Sequence, residues 1–147
     1  MDSKLLWKDE YCLGHNAIDF EHKKLFDIAN QIFAIGNPRI NSERIKGLVQ
    51  ELYDYMTHHF EHEEKFMAEI SYAEASEHKQ KHQKILEEMD KVLSIGEGFN
   101  VLEMNLEYIM QEWFAGHILN EDKKIMGKIE SYELKLYYRY CRPGLHS

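Results

Sequence analysis

LYDYMTHHFEHEEKFM, residues 52–67, reads as one unbroken helix with two histidine-bearing faces. Leu52, Met56 and Met67 recur at helical spacing, and nothing between them breaks a helix. Continuing that stripe through the gap lands on His59 and Glu63. His58 and His62 instead fall in register with Glu51, Tyr55, Lys65 and Glu69, a polar row. Periodicity therefore turns His59 and Glu63 inward and His58 and His62 outward. An unpaired glutamate in an apolar interior is costly unless something compensates its charge. Whether a cation supplies that compensation depends on what the other helices turn inward.

Those helices are legible on either side. Ile18 to about Ile35 has the stripe Ile18, Leu25, Ala29, Ile32 and Phe33, with His22 on it, and stops at Gly36-Asn37-Pro38. Asn41 or Ser42 can cap the second helix, which runs to about Ile70. A third, from about Glu74 to Ile95, carries Ala75, His78, His82, Ile85, Met89 and Val92 and ends at Gly96-Glu97-Gly98. The fourth, about Val101 to His117, carries Leu102, Leu106, Ile109, Trp113 and His117. The pattern predicts an all-α, antiparallel up-down-up-down four-helix bundle forming a single domain over residues 1–147. Residues 1–17 form an arm anchored by Trp7, Tyr11 and Leu13, residues 18–119 the bundle core, and residues 120–147 a C-terminal segment. That last segment includes a short helical stretch with Tyr132, Leu134, Leu136 and Tyr137.

Composition narrows the function. The formal net charge of −8 argues against nucleic acid or an anionic membrane as partner. No apolar run reaches the ~18 residues of a membrane span, and the first residues lack the apolar core of a signal peptide. Cys12 and Cys141 read as free thiols, and a cytoplasmic location is expected. The tyrosines Tyr132, Tyr137, Tyr138 and Tyr140 read as packing, and His15, His58, His62 and His146 as solvated. No nucleophile or phosphate-loop motif is present, so an enzyme is not expected.

Five inward histidines and one inward glutamate remain: His22, His59, Glu63, His78, His82 and His117. His78 and His82, one turn apart, can bind one ion from one face. After His117 come Glu121 and Asp122. Glu121, at i+4, is the better-placed acid if the helix continues unbroken. Asp122, at i+5, converges with His117 only where the backbone leaves regular α-helix. Spacing alone does not choose between them.

Four motifs now stand in order, one per helix: IDFEH (18–22), HFEHEE (59–64), HKQKH (78–82) and HILNED (117–122). Together they resemble the hemerythrin family in its single-domain bacterial form, and the likeness covers nearly the whole chain. The resemblance implies two Fe ions joined by an oxo or hydroxo bridge. It implies His22, His59, His78, His82 and His117 as terminal ligands, with Glu63 and Asp122 bridging the irons. His78, His82 and His117 would then hold one iron, and His22 and His59 the other. The chain departs from the family at Ala73 after Tyr72, where proline is frequent, and at Ile125, where tyrosine is frequent.

With three histidines, two bridging carboxylates and the solvent bridge, one iron reaches six ligands. The other reaches five and keeps an open position for a small molecule. The Glu-x-x-His motif of carboxylate-rich di-iron bundles occurs nowhere in this sequence. The resemblance therefore implies reversible binding of O2 by a carrier, storage or supply protein. The alternatives are a sensor of O2, redox state or iron, read by an unidentified protein partner, or a centre handling NO or peroxide. Phe26, Phe60, Trp113 and Phe114 lie beside ligands in the sequence and are expected to keep water out.

Overall fold

The computed structural model describes residues 5–94 and 98–127. Among them the only regular structure is helical. After a short 3-10 turn at Asp9–Tyr11 come α1 (Asn16–Phe33), α2 (Ser42–Glu69), α3 (Ala75–Ser94) and α4 (Phe99–Tyr108). Successive helices pack on each other and α1 also meets α4, which closes the group around a shared interior. The readings made for Tyr132, Leu134, Leu136, Tyr137, Tyr138, Tyr140, Cys141 and His146 lie outside the described residues.

Most positions of the predicted stripes are core, while Phe33, Ala75 and Leu102 are partly buried against it. Ile18, Leu25, Ala29 and Ile32 on α1, Leu52, Met56 and Met67 on α2, and Ile85, Met89 and Val92 on α3 are all buried. Each such apolar side chain contributes roughly 1.5–3 kcal/mol by leaving water, so the stripes fix which face of each helix turns inward.

Past Tyr108 the chain departs from expectation. The helical path does not stop at His117 but continues to Met126 through two π-helical segments, Ile109–Ala115 and Ile118–Asp122, into α5 (Lys123–Met126). Ile118, Asp122, Ile125 and Met126 are buried, so the interior reaches beyond the residue-119 limit set from the sequence. Wider π turns, with i→i+5 bonding, also move the buried line. Met110 and Phe114 are buried, whereas Trp113 is only partly so.

The arm is tied down by a buried carboxylate. Asp19 accepts the backbone N–H of Leu13 at 2.9 Å and of Gly14 at 3.0 Å. Gly14 has φ +90°, a left-handed geometry that glycine adopts without strain. Tyr11 and Leu13 are buried as predicted, and Trp7, Tyr11 and Phe26 meet edge to face with centroids 5.4–5.5 Å apart. Asn30 closes the docking by a pair of hydrogen bonds with the Leu5 backbone. Asp19→Ala would leave two N–H groups without acceptors in a buried setting. It is expected to cost about 1–3 kcal/mol, read as a lower denaturation midpoint at unchanged m-value.

Three local expectations are corrected. His15 is not simply solvated: it stands at the N-cap of α1, where its Nδ1 accepts the Ile18 N–H at 3.3 Å. Asn41 stands at the start of α2, but its amide donates back to the carbonyls of Gly36 and Asn37 instead of capping. Cys12 is disulfide-bonded rather than a free thiol. The docked arm holds its Sγ 3.6 Å from Asp19, at the foot of α1.

Candidate metal centre

All seven side chains singled out from the sequence meet in the interior. His22 comes from α1, His59 and Glu63 from α2, His78 and His82 from α3, and His117 and Asp122 from the helical path after α4. All are buried, four of them with no accessible surface at all. The five imidazoles point the same nitrogen inward. His22 Nε2 lies 3.2 Å from Asp122 and 3.5 Å from Glu63, and His59 Nε2 lies 3.5 Å from Glu63. His82 Nε2 lies 3.0 Å from Glu63, while His78 and His117 Nε2 lie 3.0 and 3.1 Å from Asp122.

These atoms sort into two groups that could each hold a cation. One is Glu63, His78, His82, His117 and Asp122; the other is His22, His59, Glu63 and Asp122, with ligand atoms within 4.8 Å of one another in each. The two groups share Glu63 and Asp122 and divide the imidazoles three to two.

Most of the donors also lack anything else to bind, although Nε2 of His78 and of His117 lie 3.0 Å apart. Both oxygens of Glu63 and of Asp122, and Nε2 of His22, His59 and His82, are buried without a hydrogen-bond partner. The short distances above lack the alignment a hydrogen bond requires. Such a set of orphaned acceptors and nitrogens costs far more than a protein of this size tolerates, and cations at their focus would remove the cost. The donor set therefore fits a metal.

The π-helix explains how Asp122 arrives. Five residues separate it from His117, one more than an α-helical turn brings onto a face. The π geometry at Ile118–Asp122 supplies that spacing. Glu121 points elsewhere: it takes the Lys81 ammonium on the surface, with Lys124 nearby.

A profile of the family described as the Hemerythrin HHE cation binding domain matches residues 13–129. The chain belongs to the hemerythrin family. It is 31% identical to a bacteriohemerythrin of Clostridium acetobutylicum, over 81% of this chain and 96% of that protein. A bacteriohemerythrin of Campylobacter jejuni is 28% identical, over 78% and 86% of the two chains. A hemerythrin-like protein of Naegleria gruberi is also 28% identical, over 82% and 90%.

Around this hemerythrin centre stand two carboxylates that the sequence reading did not select. Glu21 Oε1 lies 2.9 Å from His59 Nδ1, and Glu64 Oε2 lies 2.9 Å from His82 Nδ1. Each carboxylate can accept the Nδ1–H of its histidine, which leaves the inward Nε2 unprotonated and fixes the ring's direction. Burial pushes Glu21 up, but hydrogen bonds and charge from His59 and His62 outweigh it and hold it below the usual carboxylate range. One supported histidine belongs to each group of donors.

Rings wall the centre. Phe60 stacks on His82 with centroids 3.8 Å apart. Phe114 meets His22 edge-on at 5.5 Å and His59 at 6.2 Å. Phe26 reaches Phe114 at 6.1 Å. These three are buried, as expected of a water-excluding wall. Trp113 departs from that expectation. The π turn rotates it to a surface pocket that it lines with Lys81, Lys84 and Glu112, and His117 forms part of the same pocket.

Without a metal, protons take its place. Burial pushes His22 and His78 down, but Asp122 and Glu63 outweigh it and hold both at about 9. Burial likewise raises Glu63 and Asp122, yet the imidazoles around them hold both carboxyls low. A histidine whose folded pKa is raised gives stability that is complete below its unfolded value, 6.5, and lost as pH climbs through about 9. The metal-free chain is therefore expected to lose stability, on the order of a few kcal/mol, between pH 6.5 and 9. A metal-loaded sample should stay flat, because bound cations replace those protons. Thermal melts of both forms across this window check it.

Proposed function

We propose that this hemerythrin domain binds O2 reversibly at a centre of two non-haem irons, as a carrier, store or supply of O2. The observation that supports this reading most is the pair of donor groups sharing Glu63 and Asp122, with three imidazoles on one side and two on the other. Loaded with ferrous iron, such a centre supplies the electrons and the open position that O2 requires. The chain's own residues do the rest. Glu63 and Asp122, common to both groups of donors, would be shared between the irons, and His78, His82 and His117 would hold one of them. His22 and His59 would hold the other with one imidazole fewer, and Phe114 lies against both of these rings. Glu21 and Glu64 hold the aim of His59 and His82. An up-down-up-down course of the four helices in one domain belongs to the same reading.

We read the protein as a binding protein rather than an enzyme. Among the described residues, the buried titratable groups are the proposed ligands, Glu21, which positions one of them, Asp19, which anchors the arm, and Tyr11 and Tyr72 in the core. The proposed ligand is O2, with no nucleic acid given the charge of −8. No helix among the described residues is long and apolar enough to cross a membrane. A cytoplasmic location, expected from the sequence, belongs to the same reading.

The test is to reduce the iron-loaded protein without oxygen, admit O2, and remove it again through several cycles. A visible charge-transfer band that appears and vanishes with O2, at constant iron content, is the expected result. Rapid one-way oxidation would overturn the reading in favour of a sensor or a peroxide-handling centre.

A further inference from the structure

His58 and His62 lie on the polar row of α2, and both are exposed. They are not idle. They sit one turn apart on α2, with ring centroids 4.1 Å apart. Glu21 reaches them from α1: its Oε2 lies 2.6 Å from His62 Nδ1. One ligand atom each from Glu21, His58 and His62 lies within 4.8 Å of the other two. Glu21 itself is largely covered, its side chain 9% accessible against 49% for His62.

We propose that Glu21, His58 and His62 form a second cation site, open to solvent, for a borderline divalent ion such as Zn2+. The ligand set is right for that class: two imidazoles and a carboxylate, with water free to fill the remaining position. The geometry needs only a small change. Bond lengths of about 2.0–2.2 Å to each ligand require donor atoms farther apart than the His62–Glu21 hydrogen bond holds them. His62 can swing outward by the needed fraction of an ångström because half its surface is free. The ion then takes the place of the proton between His62 and Glu21. His58 and His62 are presented by a long helix, Ser42–Glu69, so their spacing is set by backbone rather than loop.

Glu21 gives the site a link inward. Its other oxygen, Oε1, stays on His59 Nδ1. A cation on the surface would thus share a carboxylate with a side chain of the buried centre, across the α1–α2 contact. The site itself stands independently of what the buried centre binds.

Zn2+ is the probe, because it has no redox chemistry to confuse with the centre. Iron-loaded protein is dialysed against a range of Zn2+ concentrations, and bound Zn and Fe are both counted by elemental analysis. The expected result is one additional Zn2+ per chain with iron content unchanged. In the double variant His58→Gln, His62→Gln, zinc affinity should fall at least about tenfold, while iron content and melting temperature stay at wild-type values. Equal zinc binding in the variant would overturn the proposal, and so would zinc taken up only as iron is lost. A wild-type protein that never loads iron sinks the di-iron reading instead. The surface site is then tested in the same metal-free protein, by the part of its zinc uptake that the double variant removes.

Discussion

On the di-iron reading proposed above, Asp122→Ala is expected to leave the protein without either iron, whereas Glu121→Ala, one residue away, is expected to load normally. The difference lies in the backbone. π geometry over Ile118–Asp122 turns Asp122 into the interior, with Oδ1 within 3.1 Å of the inward nitrogens of His78 and His117 and Oδ2 3.2 Å from that of His22. Its two oxygens therefore face both groups of donors, and losing them weakens both at once. The expected loss exceeds the roughly ten- to hundredfold that follows from removing a residue that merely supports a ligand. Glu121 spends its carboxylate on Lys81 at the surface, so its loss costs no more than an exposed ion pair. Iron per chain, counted on purified variants, separates the two. Retention of one iron by Asp122→Ala would show that Asp122 serves a single ion. Loss of iron from Glu121→Ala would show that the path after His117 is regular α-helix. His82→Ala belongs beside them. It removes an imidazole from the three-histidine side and should also abolish full loading, whereas removing His62 should not.

That pair of variants also marks where sequence patterning stops. His59 and Glu63 were legible because α2 is regular, so a stripe of Leu52, Met56 and Met67 extrapolates through them without error. The same held for His22 on α1 and for His78 and His82 on α3. Asp122 was not legible from spacing, because its position depends on two π segments that no residue pattern announces. A resemblance to a family pointed to it, and the same irregularity misled the expectation for Trp113, where the buried line shifts to Phe114. Glu21 and Glu64 escaped for a different reason. Each flanks a ligand residue in sequence, off the apolar stripe by one step of a helix. Their value comes from a histidine on a neighbouring helix (Glu21 to His59, Glu64 to His82), and periodicity within one helix carries no information about that. His15 and Asp19 escaped likewise, since capping and docking of the arm are set by where the chain turns. A reading of carboxylates within one residue of each proposed ligand, tested for reach to the next helix, would have found both positioning residues.

Phe114→Ala is expected to have the largest effect on stability and a separate effect on the lifetime of the O2-bound form. Phe114 is fully buried and packs against Phe26 and Phe60 at 6.1 and 6.4 Å. Truncating it leaves a cavity in a core that cannot collapse freely, because the backbone there carries His117 and Asp122 at fixed positions. A loss of about 3–5 kcal/mol follows, seen as a lower urea midpoint. The functional effect has a different origin. Phe114 presents its edge to His22 and His59, the side of the centre with fewer imidazoles and so the side where O2 is proposed to bind. Removing the ring admits water beside that position, where dry, apolar surroundings otherwise slow the loss of electrons. Autoxidation, followed as decay of the visible band after O2 is admitted, should accelerate clearly. Phe114→Leu separates the two effects. It keeps most of the volume and should cost less than half as much stability, yet a branched aliphatic chain no longer covers the imidazole edges, so the decay should still be faster than wild type. If Phe114→Leu loses stability but decays at the wild-type rate, the ring is packing alone and the barrier to water lies elsewhere. Phe60 stacks on His82 on the three-histidine side and meets His59 at 5.7 Å but not His22, so Phe60→Leu should weaken the fold and speed the decay less than Phe114→Leu does.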